Sequence, residues 1–449
     1  MRMTGTATVR EFIEQRSFSR FHFWMLFWTC FIITFDMYDL VVYGAVLPVL
    51  IKQWGITPVE AGAIGSYGFF GMMLGAVGFG VLADRFGRKR ILLTAVVLFS
   101  ASTALCGFAP SPTVFSVFRF LAGLGIGGIL PTVIATLTDY APKGRANSYV
   151  AIVMSFFHVG GIVAALVAMA LIPRLGWQAV YWLAAIPLFF VPFMGRYFPD
   201  SPSVLVRRRG PDAALRVLGD LAGRPVAAAE VSFPAPEAKE QRAPIQALFT
   251  EGRALGTVMI WIAFFMCLLM LNGLTVWLPQ LMVRSGYDLG SSLNFPIWQN
   301  IGAIVGTLFF GRLADRLGVK RVLVPMYVGA AISLGLLGFG SGLVLLLALI
   351  AVTGATANGA QNLSYAFVAQ YYPPFMRSTA IGLASAVGRI GAIFGPIFGG
   401  VLLTMNLPIS ANFLWFGLPG LLAALAFWFV PLKGKPDPAK SPLSLEEAS

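Results

Sequence analysis

Asp36 and Asp39 stand inside an apolar run from Phe21 to Leu50, within Phe31-Ile-Ile-Thr-Phe-Asp36-Met-Tyr-Asp39-Leu-Val-Val-Tyr43. About 20 apolar residues suffice to cross a bilayer, and this run exceeds that. Three positions apart, the two carboxylates share a helix face, about 60° apart and about 4.5 Å along the axis. A charge at mid-bilayer costs about 2.5–3.5 kcal/mol on insertion scales, and two on one stripe repel each other. A chain keeps such a pair to line a wet cavity, bind a cation or carry protons. The plainer alternative is that one Asp neutralises an Arg on a neighbouring helix. Arg119 and Arg389 also lie inside apolar segments. Their guanidinium groups stay charged and present a planar fork suited to a carboxylate. With Arg119 paired to one Asp, one carboxylate remains for a proton and Arg389 for an anion. Asp36 is the expected partner of Arg119, and Asp39 the expected proton carrier. That charge count points to proton-coupled movement of an anion across a membrane.

The elements that must hold these groups are membrane helices. The chain has 449 residues, 57% hydrophobic and 11% charged, against about 25% charged in soluble domains. Its mean hydropathy is +0.79. Twelve apolar segments are expected near 22–50, 60–83, 90–109, 112–138, 146–172 and 177–195, then 255–283, 292–313, 321–340, 342–370, 378–404 and 410–431. The division is an N-terminal six-helix bundle over 1–195, a linker over 196–254, a second bundle over 255–431 and a tail over 432–449. One amphipathic helix is expected in the linker, around Pro211–Leu221.

The net charge of +13 is distributed by side. Lys52, Arg174 and Arg284 fall in loops on one side, and Arg119 and Arg389 within spans. Every other Lys or Arg lies in the N-terminus, the tail, or the loops after helices 2, 4, 6, 8 and 10. The positive-inside rule places both termini and the linker in the cytoplasm of a cell inner membrane, so the basic charge is topogenic and not a nucleic-acid footprint. The first span is read as retained, because no short cleavable h-region precedes it. Cys30, Cys106 and Cys267 lie singly in apolar segments and read as core residues, with no disulfide or metal expected.

Gly80-Val-Leu-Ala-Asp84-Arg85-Phe-Gly87-Arg88-Lys-Arg90 returns 231 residues later as Gly311-Arg-Leu-Ala-Asp315-Arg316-Leu-Gly318-Val-Lys-Arg321, identical at eight of eleven positions. Both copies follow the second helix of a half, which makes the halves repeats about an axis along the membrane normal. Under the same offset His158 in helix 5 falls opposite Arg389. Histidine titrates near neutral pH, so His158 reads equally as a proton-coupling residue and as a neutral core residue, whereas His22 reads as interfacial.

The Gly-x-Leu-Ala-Asp-Arg-x-Gly loops, and Arg119-Phe-Leu-Ala-Gly123-Leu-Gly125-Ile-Gly127-Gly128, resemble signatures of the major facilitator superfamily. Phe198-Pro-Asp200-Ser-Pro-Ser203 is similar to an element of several of its families. Asp36-Met-Tyr-Asp39 together with Gly388-Arg389-Ile-Gly391-Ala-Ile-Phe-Gly395-Pro396 resembles the aromatic acid:proton symporters. The resemblance implies an all-α fold of two pseudo-symmetric six-helix bundles. It further implies import of a small aromatic carboxylate such as benzoate or a hydroxybenzoate, driven by the proton gradient without a cofactor, by a monomer. One departure is Met37, where that family's motif usually has Gly; it crowds a place where a ligand would approach the backbone.

Within that resemblance the expected roles are these. Asp36, Asp39 and His158 handle the proton, while Arg119, Arg389, Tyr38, Trp277 and Tyr365 hold the substrate. Gly80, Asp84, Arg85, Gly87, Arg88, Gly311, Asp315 and Arg316 form the cytoplasmic gate. A sugar or polyol porter is the alternative within the superfamily, but a Gln-Gln cluster in helix 7 is missing where Leu268-Leu-Met-Leu-Asn272-Gly273 stands. A membrane enzyme lacks a nucleophile–base set or metal cluster. A chemoreceptor role through binding alone stays open.

Overall fold

The computed structural model describes residues 7–233, 245–340 and 342–431. Twelve long helices follow in chain order: α1 (Arg20–Trp54), α2 (Pro58–Phe86), α3 (Arg88–Cys106), α4 (Pro112–Asp139), α5 (Ala146–Leu175), α6 (Trp177–Tyr197), α7 (Ala254–Arg284), α8 (Asn294–Leu317), α9 (Val319–Leu337), α10 (Leu343–Tyr371), α11 (Pro374–Thr404) and α12 (Ile409–Phe429). Eleven are long and apolar enough to cross a membrane. The other is α8, 24 residues long, whose Asn294, Gln299, Asn300, Arg312, Asp315 and Arg316 dilute its apolar character. Helix starts and stops follow local chemistry. Thr57 and Glu60 form a capping box ahead of Pro58, and α1 ends at Gly55 in the left-handed conformation. α6 is broken by a 3-10 turn at Leu183–Ala185, just before Pro187.

Glycine sets the packing distances. Cβ atoms on Gly71, Gly75 and Gly123 would collide with the carbonyls of Phe120, Leu124 and Gly68, so α2 and α4 meet backbone to backbone. Gly302, Gly306 and Gly354 stand in the same relation to Ala351, Ala355 and Gln299, which joins α8 to α10. Gly160 against Thr34 (α5 on α1) is likewise repeated by Gly391 against Phe265 (α11 on α7). Both members of every pair are displaced by the 231 residues that separate the loop copies. The loop glycines agree as well: Gly87 has φ 93°, ψ 141° and Gly318 has φ 89°, ψ 140°, angles that side-chain-bearing residues avoid. The repeat read from eleven residues thus extends through the helix contacts of two six-helix bundles. Small residues at such seams are the usual way for membrane helices to gain dispersion contact, since lipid supplies no hydrophobic drive between them.

The linker helix expected around Pro211–Leu221 is present as Pro211–Ala222, and it buries Ala214, Leu215, Leu218 and Leu221. Two features were not legible beforehand. A second short helix covers Pro202–Arg209, and Ala7–Thr8 pairs in parallel with Val231–Ser232. The Pro-Ala-Pro stretch at 234–240 and the tail at 432–449 lie outside the described residues.

Gly123→Ala and Gly354→Ala are expected to lower stability by about 1–3 kcal/mol each, the usual range for overpacking. Gly78→Ala meets open space and is expected to be neutral or slightly stabilising through helix propensity. Thermal melting of the purified protein in detergent checks this; equal effects at all three positions would contradict the packing account.

Candidate functional site

α1 carries both carboxylates, and its neighbours separate them. Asp39 turns toward α3 and α4. Its Oδ2 lies 2.6 Å from Arg119 Nη1, and Thr103 donates to its Oδ1 at 2.7 Å. Both members of the ion pair are 2% exposed. The guanidinium sits over the Tyr43 ring, 5.1 Å from its centroid. Gly68 leaves room for it, since a Cβ there would lie 3.1 Å from Arg119 Nη2. The partner of Arg119 is therefore Asp39, not Asp36 as the charge count alone suggested. The sequence gives two candidates one turn apart, and only the direction of α3 and α4 chooses between them. Thr103 was not singled out, because one hydroxyl among several in α3 carries no distinguishing pattern.

Asp36 is also 2% exposed, but it makes no ion pair or hydrogen bond among the described residues, and its Oδ1 is buried without a partner. The charges acting on it are Asp39 and, from the other half, Arg389. Arg389 on α11 is half-buried and reaches across to α2, where Nη1 donates to the Met72 carbonyl at 3.3 Å. The Tyr365 hydroxyl donates to Ser385 Oγ at 3.4 Å, and its ring meets Phe264 edge-on at 5.0 Å. Asp36, Arg389 and Tyr365 thus form one group between the halves. Ser385, one turn before Arg389, joins it and was not foreseen.

His158 makes the counterpart crossing. Its Nδ1 lies 3.2 Å from Asn300 Oδ1 on α8. Because the Asn300 amide nitrogen donates to the Pro296 carbonyl, the network assigns the proton to His158 Nδ1. Tyr38 and Trp277, expected beside a ligand's ring, are engaged in joining helices instead. Tyr38 donates to the Val180 carbonyl on α6 at 2.7 Å, and the buried Trp277 to the Pro396 carbonyl on α11 at 2.7 Å. Met37 is 8% exposed and packs in the apolar core.

The halves meet at the end of the bundle away from the basic loops. There Gly62 packs on the Pro396 backbone, Gly400 on the Pro58 carbonyl and Gly44 on Thr275, and Ser66 donates to the Ile393 carbonyl. Toward the basic end, positions Gly80 on α2, Gly311 on α8 and Gly382 on α11 have no atom within contact distance of a Cβ. Of the residues expected in a gate, Arg88 pairs with Asp139 at the end of α4, which Ser201 also bonds. The Lys89 amide donates to the Asp200 carboxylate at 2.9 Å, and Gly87 packs beside that carboxylate. In the second copy Lys320 caps α12 through the carbonyls of Trp428 and Val430. Arg85, Asp315 and Arg316 are exposed, and the Asp84 side chain lies outside the described residues. In this conformation the Arg88–Asp139 pair and the two Lys320 bonds stay within their own halves.

Removing one partner of a buried ion pair costs about 3–5 kcal/mol. Arg119→Gln and Asp39→Asn are each expected to reduce folded protein in the membrane, with partial recovery in the double variant. Fluorescence-detected size exclusion reads this. A double variant as poor as either single would show that the pair itself is not what the fold requires.

Comparison with known proteins agrees with this architecture. The family model of the Major Facilitator Superfamily matches residues 29–305 and 297–449. The benzoate transport protein of Acinetobacter baylyi is 39% identical, covering 95% of this chain and 93% of its own. The gentisate transporter of Corynebacterium glutamicum is 36% identical over 88% and 84%. A 4-hydroxybenzoate transporter of Pseudomonas putida is 32% identical over 89% and 90%. Among solved structures, the xylose transporter of E. coli in a partially occluded inward open conformation matches with a TM-score of 0.74 at 18% identity, over 93% of this chain and 100% of that one, a likeness of fold. The chain belongs to the major facilitator superfamily and is a membrane transporter, not an enzyme.

Proposed function

We propose that this transporter is a symporter, moving a small aromatic carboxylate together with one or more protons into the cell, with its basic end in the cytoplasm. The observation that carries the reading is the unequal placement of the two carboxylates. Asp39 is neutralised within its own half, whereas Asp36 has no partner among the described residues and is acted on by Arg389 of the other half. Asp36 is the proton carrier on this reading, which reverses the assignment made from spacing alone. Arg389 receives the substrate carboxylate. Its one bond among the described residues is to the Met72 carbonyl, a neutral acceptor that an anion's charge-assisted bond outcompetes. Tyr365 and Phe264 offer ring faces and edges for an aromatic group. The names of the relatives, transporters of benzoate, gentisate and 4-hydroxybenzoate, support that substrate class.

The proton and the anion then act on one pair of groups. With Asp36 charged, it attracts Arg389 and opposes an incoming carboxylate. Protonation removes both effects, so anion binding and proton binding favour each other, as linkage requires. The halves rock about this point, and the Arg88–Asp139 and Lys320 contacts keep each bundle intact as they do so.

Labelled benzoate and hydroxybenzoates are expected to accumulate in cells or vesicles, faster with acid outside, and to lose accumulation with a protonophore. Asp36→Asn should abolish uphill uptake while sparing counterflow exchange, because the amide mimics the protonated carboxyl. Accumulation of sugars but not of benzoate-like acids would reject the substrate class. Full pH-driven uptake by Asp36→Asn would reject the carrier assignment and make His158 the next residue to test.

A further inference from the structure

We propose that a trough on the outer face of α8, at the basic end of the bundle, binds one anionic phospholipid. A hollow of about 430 Å³ runs along Val305, Leu308, Phe309, Arg312, Leu313 and Arg316. Positions 305, 309, 312 and 316 form a single stripe on the helix, about 16 Å long at helical rise. Neighbouring faces of α8 are already used, by Gly302 and Gly306 against α10 and by Asn300 toward α5. The stripe itself is exposed: Val305 is 61% and Phe309 59% accessible. The upper part is wholly apolar and suits an acyl chain, while the end carries two guanidinium groups.

The repeat shows that this face is not a generic lipid-facing surface. The equivalent stripe on α2 has Gly78 and Val81 where α8 has Phe309 and Arg312. Arg312 is one of the three departures among the eleven repeated positions, and it places a cation more than a turn inside the helix end. Among the described residues Arg312 and Arg316 make no ion pair, and the Arg312 guanidinium has only its own-helix Leu308 carbonyl at 3.4 Å. A guanidinium on a lipid-exposed helix face is unfavourable without a counter-charge. A phosphate at headgroup depth supplies it, with the fork geometry that Arg offers, as clustered basic residues next to a span do for anionic lipid. A zwitterionic headgroup carries its own ammonium beside the phosphate and so offers the two guanidinium groups no net negative charge.

The full chain in phosphatidylcholine nanodiscs containing a small fraction of photoactivatable phosphatidylglycerol tests this. Peptide mapping should place the crosslink between Val305 and Arg316 in preference to the α2 stripe from Leu74 to Arg85. Unlabelled phosphatidylglycerol should compete and phosphatidylcholine should not, a result that needs no variant. Arg312→Gln should reduce the labelling about fivefold, the effect of one basic residue near a membrane surface, and Arg312→Lys should retain most of it. Equal labelling of the two stripes, equal competition by both lipids, unchanged labelling in Arg312→Gln, or crosslinks joining two copies through α8 would each overturn the proposal.

Discussion

A charge inside the hydrocarbon slab must be answered by another charge or by water, and the structure depends on how four such groups are distributed. Asp39 and Arg119 answer each other within the first bundle, at 2.6 Å and 2% exposure. The pair is strongly directional, because Thr103 holds the second carboxylate oxygen and Tyr43 covers the guanidinium. Among the described residues, once that pair is closed, Asp36 has no partner of its own and Arg389 has only a backbone carbonyl. These two charges belong to opposite bundles, and Arg389 acts on Asp36 from the other half. A buried ion pair is weak evidence of net stability. Its consequence here is that one Asp and one Arg neutralise each other, and on the proposed reading the other two serve transport.

Close helix contact gives these charges a fixed setting. The glycine seams between α2 and α4, and between α8 and α10, bring backbones into direct contact within each bundle. α5 and α11 each send a polar side chain across the divide, His158 to Asn300 and Arg389 to Met72. These two positions correspond under the internal repeat. The repeat thus explains where the cross-bundle groups stand, and the departures from it explain why they differ in chemistry. One half offers an imidazole and the other a permanent cation, an asymmetry that suits the anion of the proposed reading.

Much of this was legible in the sequence, for physical reasons that can be named. Apolar length fixes helices because the bilayer forbids unsatisfied backbone, and the eleven-residue echo fixes the pseudo-symmetry of the two bundles. The amphipathic Pro211–Ala222 helix was visible from its apolar spacing. The partner of Arg119 was not, because Asp36 and Asp39 differ by only about 60° around α1, and the choice belongs to neighbours far along the chain. Tyr38 and Trp277 illustrate the same limit. An aromatic side chain with a polar tip suits a ligand pocket and a helix tie equally well, and here the carbonyls of Val180 and Pro396 take both tips. Ser385 and Thr103 carry no pattern at all until the fold sets them beside Tyr365 and Asp39.

The central claim is that substrate binding and proton binding meet at Asp36, with Asp39 held apart by Arg119. Proton exchange on adding benzoate to the purified protein in weakly buffered solution, followed with a pH-sensitive dye, measures that coupling without any transport cycle. The account predicts a proton signal that vanishes in Asp36→Asn and persists in the Asp39→Asn/Arg119→Gln double variant. A signal that survives Asp36→Asn, or one lost only when Asp39 is removed, would contradict it.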